Sequence, residues 1–386
     1  MPASATRQAV RLVVLLGVVS LFADMTYEGA RSVTGPFLAV LGASGTVVGV
    51  VAGAGELIGY ALRLLSGYLS DRTGRYWMIT VLGYAVNLLA VPLLALAGRW
   101  EVAAALVIAE RAGKALRTPP RDAMLSHATT RIGVGWGFGL HEALDQLGAV
   151  LGPLLVAGVL AARAEYRVAF AVLLAPAVAA LLVLGAARWL YPRPADLEAE
   201  TARLAPEGLP RVFWAYLAAA ACLAAGYADF PLIAFHFQKA GADPRWIALA
   251  YAIAMGVDGV AALAFGRWFD RRGTPSLVAA ALLSAGFPPL VFSGHFALGL
   301  AGMVLWGIGM GAQESILRAA IARMVPPGRR ASAYGVFNTG FGLAWFAGSA
   351  LMGLLYDVSI PGLVLFSVAA QLAAVPLLLR IRRDLG

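Results

Sequence analysis

The chain has 386 residues, of which 60% are hydrophobic and 13% charged, about half the charged share of a soluble domain. That composition excludes a soluble globular protein and implies lipid as solvent. The net charge of +9 sits in short segments between apolar runs, the distribution of cytoplasmic loops rather than of a nucleic-acid-binding face.

A membrane-spanning helix needs roughly 20 apolar residues, and the apolar runs predict twelve, in an all-α integral membrane fold. Span 1 covers 9–38, span 2 45–70, span 3 76–97, span 4 100–119, span 5 133–161 and span 6 168–190. Arg7 and Arg11 precede span 1 as in a signal peptide, but no small-residue cleavage site follows, so span 1 is read as retained. A long polar stretch over 192–211 then separates a six-helix bundle at 1–191 from a second at 212–386. Span 7 covers 212–238, span 8 245–269, span 9 275–293, span 10 296–323, span 11 331–356 and span 12 360–379. Cys222, the single cysteine, reads as a small core residue of span 7. Arg and Lys concentrate at both termini and in the loops that follow even-numbered spans. The opposite loops hold only Arg99, Arg163, Arg167, Lys239 and Arg245. Both termini are therefore expected in the cytoplasm, with the chain in the cell's inner (plasma) membrane.

The halves repeat. After span 2 the chain reads GYLSDRTGR from Gly67, and after span 8 GRWFDRRGT from Gly266. Asp71 matches Asp270, Arg72 matches Arg271 and Gly74 matches Gly273. Gly139 and Gly152 of span 5 match Gly335 and Gly348 of span 11. Two matches at nearly one offset point to two pseudo-symmetric six-helix bundles, a known transporter plan.

Charges inside hydrocarbon are costly and mark a polar path or a partner. Asp24, Glu28 and Arg31 fall on one face of span 1, and Glu56, Tyr60 and Arg63 on one face of span 2. Glu110, Arg111 and Lys114 lie on span 4, with Glu110 and Lys114 one turn apart. His141, Glu142 and Asp145 lie on span 5, Asp229 and His236 on span 7, Asp258 on span 8, and Glu314 and Arg318 on span 10. The interiors of spans 3, 6, 9 and 12 hold no charge, so these four are expected outside, against lipid. The acids of the first bundle are the candidates for proton coupling, Asp24 and Glu28 first, and static ion pairs are the competing reading. The second bundle is expected to supply more of an apolar wall.

The segment Gly67, Asp71, Arg72, Gly74, Arg75 resembles the signature of the major facilitator superfamily after span 2, and its copy stands after span 8 with Thr274 in place of Arg75. The resemblance implies a tight cytoplasmic turn and a charged latch between the bundles. Arg111, in ERAGK, resembles the superfamily's span 4 arginine, linked there with proton transfer. Pro119 and Pro120 are expected to end or kink span 4, which would put Arg117, Arg121 and Asp122 at the cytoplasmic gate with Asp71. Gly139, Gly148, Gly152 and Pro153 are spaced as in the antiporter motif of drug/proton exchangers, although that pattern's last glycine falls on Val156. Glycines so spaced let a neighbouring helix approach closely.

The expected function is therefore alternating-access secondary transport of a small molecule, in the form of proton-coupled efflux, by a monomer. Nutrient or anion uptake, through Arg31, Arg63, Arg111 and Lys114, is the alternative. Metal-ion efflux through His141, Glu142 and Asp145 is another. No nucleotide-binding or HExxH motif is present, so no cofactor, resident metal or enzymatic activity is expected.

Overall fold

The computed structural model describes residues 3–129, 134–192, 209–324 and 330–385, and every regular element among them is helical. Among the described residues, eleven helices are long and apolar enough to cross a membrane. Span 4 is not one of them. It is a single helix, Trp100–Thr129, and its seven charged residues (Glu101, Glu110, Arg111, Lys114, Arg117, Arg121 and Asp122) lower its hydropathy. Thirty residues rise about 45 Å, so span 4 is long enough to be the twelfth pass.

The prolines do not end span 4. Pro120 has no N–H for the carbonyl of Leu116 four residues back. The Ser66 hydroxyl of span 2 donates to that carbonyl at 2.5 Å. A side chain 50 residues away thus replaces the lost bond, as a helix in lipid requires. Three other spans are broken where continuous helices were expected. Span 6 is built from Tyr166–Val172 and Leu174–Leu190, span 7 from Arg211–Gly226 and Phe230–Lys239, and span 9 from Thr274–Ser284 and Phe287–Val291.

The chain groups into two compact units, one of residues 1–33 and 58–202, the other of 34–57 and 203–386. The core of the first joins spans 1, 3, 4 and 6 through residues such as Leu12, Leu16, Tyr84, Leu88, Leu125 and Leu184. Spans 3 and 4 meet backbone to backbone, since a Cβ on Gly113 would lie 2.3 Å from Asn87 N and one on Gly83 2.6 Å from Arg117 N. In the second unit a Cβ on Gly311 would lie 2.2 Å from the Asp258 carbonyl, so spans 8 and 10 pack as closely.

Spans 3 and 12 are not plain lipid-facing helices. Met78, Leu82, Leu89 and Leu93 form an exposed face of span 3, as lipid contact requires. Its opposite face buries Thr80, Tyr84 and Asn87. Span 12 exposes Leu365, Leu372 and Leu379 and buries Ser367 and Gln371. Freedom from charge predicted one face of each helix and missed the polar one.

Candidate functional site

The first unit gathers its ionisable groups where spans 1, 3, 4 and 5 meet. Span 5 reaches span 1 through two glycines. A Cβ on Gly148 would lie 2.2 Å from the Leu21 carbonyl and 3.0 Å from Asp24 Cβ, and one on Gly152 would lie 2.3 Å from the Met25 carbonyl. The side chain of Asp24, 4% exposed, is thereby set into the interior of this unit.

Its cation is Arg117, whose guanidinium nitrogen lies 3.9 Å from Asp24 Oδ1. That separation is a long ion pair, and Asp24 Oδ1 accepts no hydrogen bond. Arg117 is itself 1% exposed. It donates to the Tyr84 hydroxyl at 2.9 Å and stands over the Tyr84 and Tyr27 rings at 4.3 and 5.8 Å. The sequence expectation sets Arg117 at a cytoplasmic gate with Asp71, and its side chain is buried here against spans 1 and 3. Because the helix continues past Pro119–Pro120, Arg117 stays on the interior face of span 4.

A second chain of charges runs beside the first. Lys114 lies 3.8 Å above the Tyr27 ring and 4.0 Å from Glu28, and Glu28 lies 3.8 Å from Arg31. Glu110 pairs with Arg111 at 3.4 Å and accepts from Asn87 Nδ2 at 2.8 Å. The partner of Glu110 is therefore Arg111 and Asn87, and Lys114 turns to span 1 instead. Arg121 donates to Ser20 at 3.0 Å and to Asp122 at 2.8 Å, and Ser20 lies 2.9 Å from His141 Nε2. Asp145 keeps a buried Oδ1 that accepts no hydrogen bond. Glu142 is exposed, and among the described residues no three His, Cys, Asp or Glu side chains are grouped to hold a metal ion. His141, Glu142 and Asp145 thus do not form a metal cluster there. Glu56 is half-buried, and Arg63, also half-buried, lies 5.5 Å from the Tyr60 ring.

Gly74 and Gly273 take φ of +65° and +62°, backbone that favours glycine. Arg72, Arg75 and Arg271 are exposed, and Arg72 donates to Tyr68 at 3.1 Å. The side chains of Asp71 and Asp270, the surroundings of Gly139, and the side chain of Arg318 lie outside the described residues.

In the second unit the polar feature is the break in span 7. Asp229 is 2% exposed and caps the helix Phe230–Lys239, accepting from the Phe230 N–H at 2.9 Å. The carbonyls freed by the break find donors. Ser367 and Gln371 of span 12 reach Gly226 O at 2.5 and 3.2 Å, and Trp306 Nε1 reaches Ala228 O at 2.9 Å. Tyr227, Phe230, Tyr251, Trp306 and Trp345 pack around it with ring separations of 4.1 to 6.2 Å. The wall of this unit is aromatic and polar as well as apolar. Asp229-Phe230-Pro231, a cap with proline in the first turn, was the signal in the sequence. Asp229→Ala is expected to cost about 1 kcal/mol and Asp229→Asn much less, as thermal unfolding of the purified protein would show. Equal stabilities would remove the capping role.

The chain is similar to several known proteins. An uncharacterized protein of Mycobacterium tuberculosis (strain ATCC 25618 / H37Rv) is 45% identical over 98% of this chain and 95% of its own. An uncharacterized MFS-type transporter of Methanocaldococcus jannaschii is 35% identical over 39% of this chain and 37% of its own. Among solved structures, the nucleoside transporter NupG superposes with a TM-score of 0.73 at 14% identity, over 95% of this chain and 98% of that one. A POT family transporter in complex with 5-aminolevulinic acid gives 0.75 at 13%, over 96% and 95%. The family model described as the Major Facilitator Superfamily matches residues 16–349 and 230–384. The chain belongs to the Major Facilitator Superfamily and is a multi-pass membrane transporter of that fold.

Proposed function

We propose that the chain is a proton-coupled exporter of a small organic molecule, working by alternating access as a monomer in the cell's inner membrane with both termini cytoplasmic. Asp24 carries this reading. A carboxylate buried beside a cation 3.9 Å away, with one oxygen accepting no hydrogen bond, can exchange a proton without dismantling a rigid ion pair. Glu28, Lys114 and Arg31 stand beside it as groups that can answer a change in its charge. Asp71, Arg72, Asp270 and Arg271 fit a cytoplasmic gate.

The test uses purified protein in proteoliposomes with a trapped pH dye, challenged with nucleosides, dipeptides and organic cations. Protons are expected to move against the direction of one substrate class. Movement in the same direction would identify uptake instead. Asp24→Asn is expected to reduce pH-driven transport at least about tenfold, equivalent to ~1.4 kcal/mol, with the protein still folded. Unchanged transport would remove Asp24 from the mechanism.

A further inference from the structure

Residues 34–57, the hairpin that joins spans 1 and 2, belong to the second compact unit. Span 2 meets span 11 along a seam of small residues. A Cβ on Gly49 would lie 2.4 Å from Ser349 O, and one on Gly53 3.1 Å from the Phe346 carbonyl. From the span 11 side, a Cβ on Gly353 would lie 2.6 Å from Gly45 O. At Gly49, Gly53 and Gly353 the contact runs against backbone and small side-chain atoms, so at these points it can part and re-form with little side-chain rearrangement. In lipid it is held by close packing alone.

The end of the seam is different. Asp357, in the last turn of span 11, receives three hydrogen bonds from the first turn of span 2. The Gly45 N–H donates to Oδ1 at 2.8 Å, and the Thr46 N–H and hydroxyl donate to Oδ2 at 2.7 and 2.6 Å. A carboxylate at a helix N-terminus satisfies orphan donors and meets the positive end of the helix dipole. A sliding seam closed by one exposed ionic cap has the construction of a catch.

We propose that Asp357 is a releasable latch, which holds the span 1–2 hairpin on span 11 in one state of the transport cycle and lets it go in the other. The inference rests on the alternating-access reading. It links the catch to the candidate site through continuous helices, because Ala3–Val40 carries both Asp24 and the first arm of the hairpin.

The experiment follows exposure of the seam in purified, substrate-free protein. Ser349, 2% exposed and facing Gly53, is replaced by cysteine in a Cys222→Ser background, and its rate of maleimide labelling is measured. Asp357→Ala is expected to raise that rate about fivefold. Asp357→Asn, whose amide nitrogen cannot accept and so leaves at least one of the three donors unmet, should raise it about two- to threefold. If Asp357→Ala does not fold, Thr46→Val, which removes one of the three bonds, should raise the rate about twofold. Equal rates in folded variants would overturn the latch and leave alternating access standing. Absence of labelling in every variant would likewise overturn the latch, and the proteoliposome assay tests alternating access separately.

Discussion

Gly148→Val is expected to destabilise the protein by about 3 kcal/mol and to lower the unfolding temperature by roughly 5 °C. The new Cβ would lie 2.2 Å from the Leu21 carbonyl and 3.0 Å from Asp24 Cβ, and the first of these is backbone, which cannot rotate aside. Spans 1 and 5 would have to part, carrying Asp24 away from Arg117, so transport should fall along with stability. Gly152→Val should behave in the same way, because its Cβ would meet Met25 O at 2.3 Å and Gly29 N at 2.9 Å. Gly158, further along the same helix, has nothing within 4 Å of the corresponding position. Gly158→Ala should therefore be neutral, or stabilising by up to about 1 kcal/mol through helix propensity alone. Differential scanning fluorimetry in detergent compares the three. A Gly148→Val protein as stable as the parent would show that this helix contact is not close.

The contrast between Gly148 and Gly158 also marks what the sequence could and could not disclose. Glycine spacing on span 5 signalled a close approach, and the repeat identified Gly348 as the equivalent of Gly152. The structure gives them equivalent partners: Gly152 meets Met25 O on span 1, and Gly348 meets Ala225 O on span 7. Apolar run length disclosed the spans, and helical spacing placed Asp24, Glu28 and Arg31 on one face. Partnerships across helices were not legible in this way. Pro119–Pro120 were expected to end or kink span 4, and the Ser66 hydroxyl that takes up the carbonyl left by Pro120 stands on another span. Tyr84 and Asn87 sit in an apolar run without charge, so counting charges passed over them, although each anchors a charged residue of span 4. Lys114 is one turn from Glu110 and still pairs with Glu28, because Asn87 and Arg111 already occupy Glu110. Local spacing states which pairs are possible, and competition between helices decides which form.

Arg117→Met should show how strongly that competition binds the site together. The substitution retains a long apolar stem but removes the donor to Tyr84, the cation over two aromatic rings and a cation within 4 Å of Asp24. A buried charge that loses its partner costs about 3–5 kcal/mol. The long 3.9 Å pair argues for the low end, about 3 kcal/mol. Arg117→Lys should recover little, because an ammonium cannot stack on Tyr84 as the planar guanidinium does. Asp24→Asn alone should cost about 1 kcal/mol, since Arg117 keeps its hydroxyl and its rings. If the two residues act as a pair, the double variant should be more stable than the sum of the single effects predicts, by about 1–3 kcal/mol. Chemical denaturation of the four proteins yields that coupling directly. Additive costs would mean that Arg117 serves Tyr84 and Tyr27 alone, and Asp24 would then need another cation. Lys114, already set between span 1 and the Tyr27 ring, would be the next to replace. A coupling that is present at neutral pH and lost when Asp24 is protonated would join the stability of this cluster to the proton it is proposed to carry.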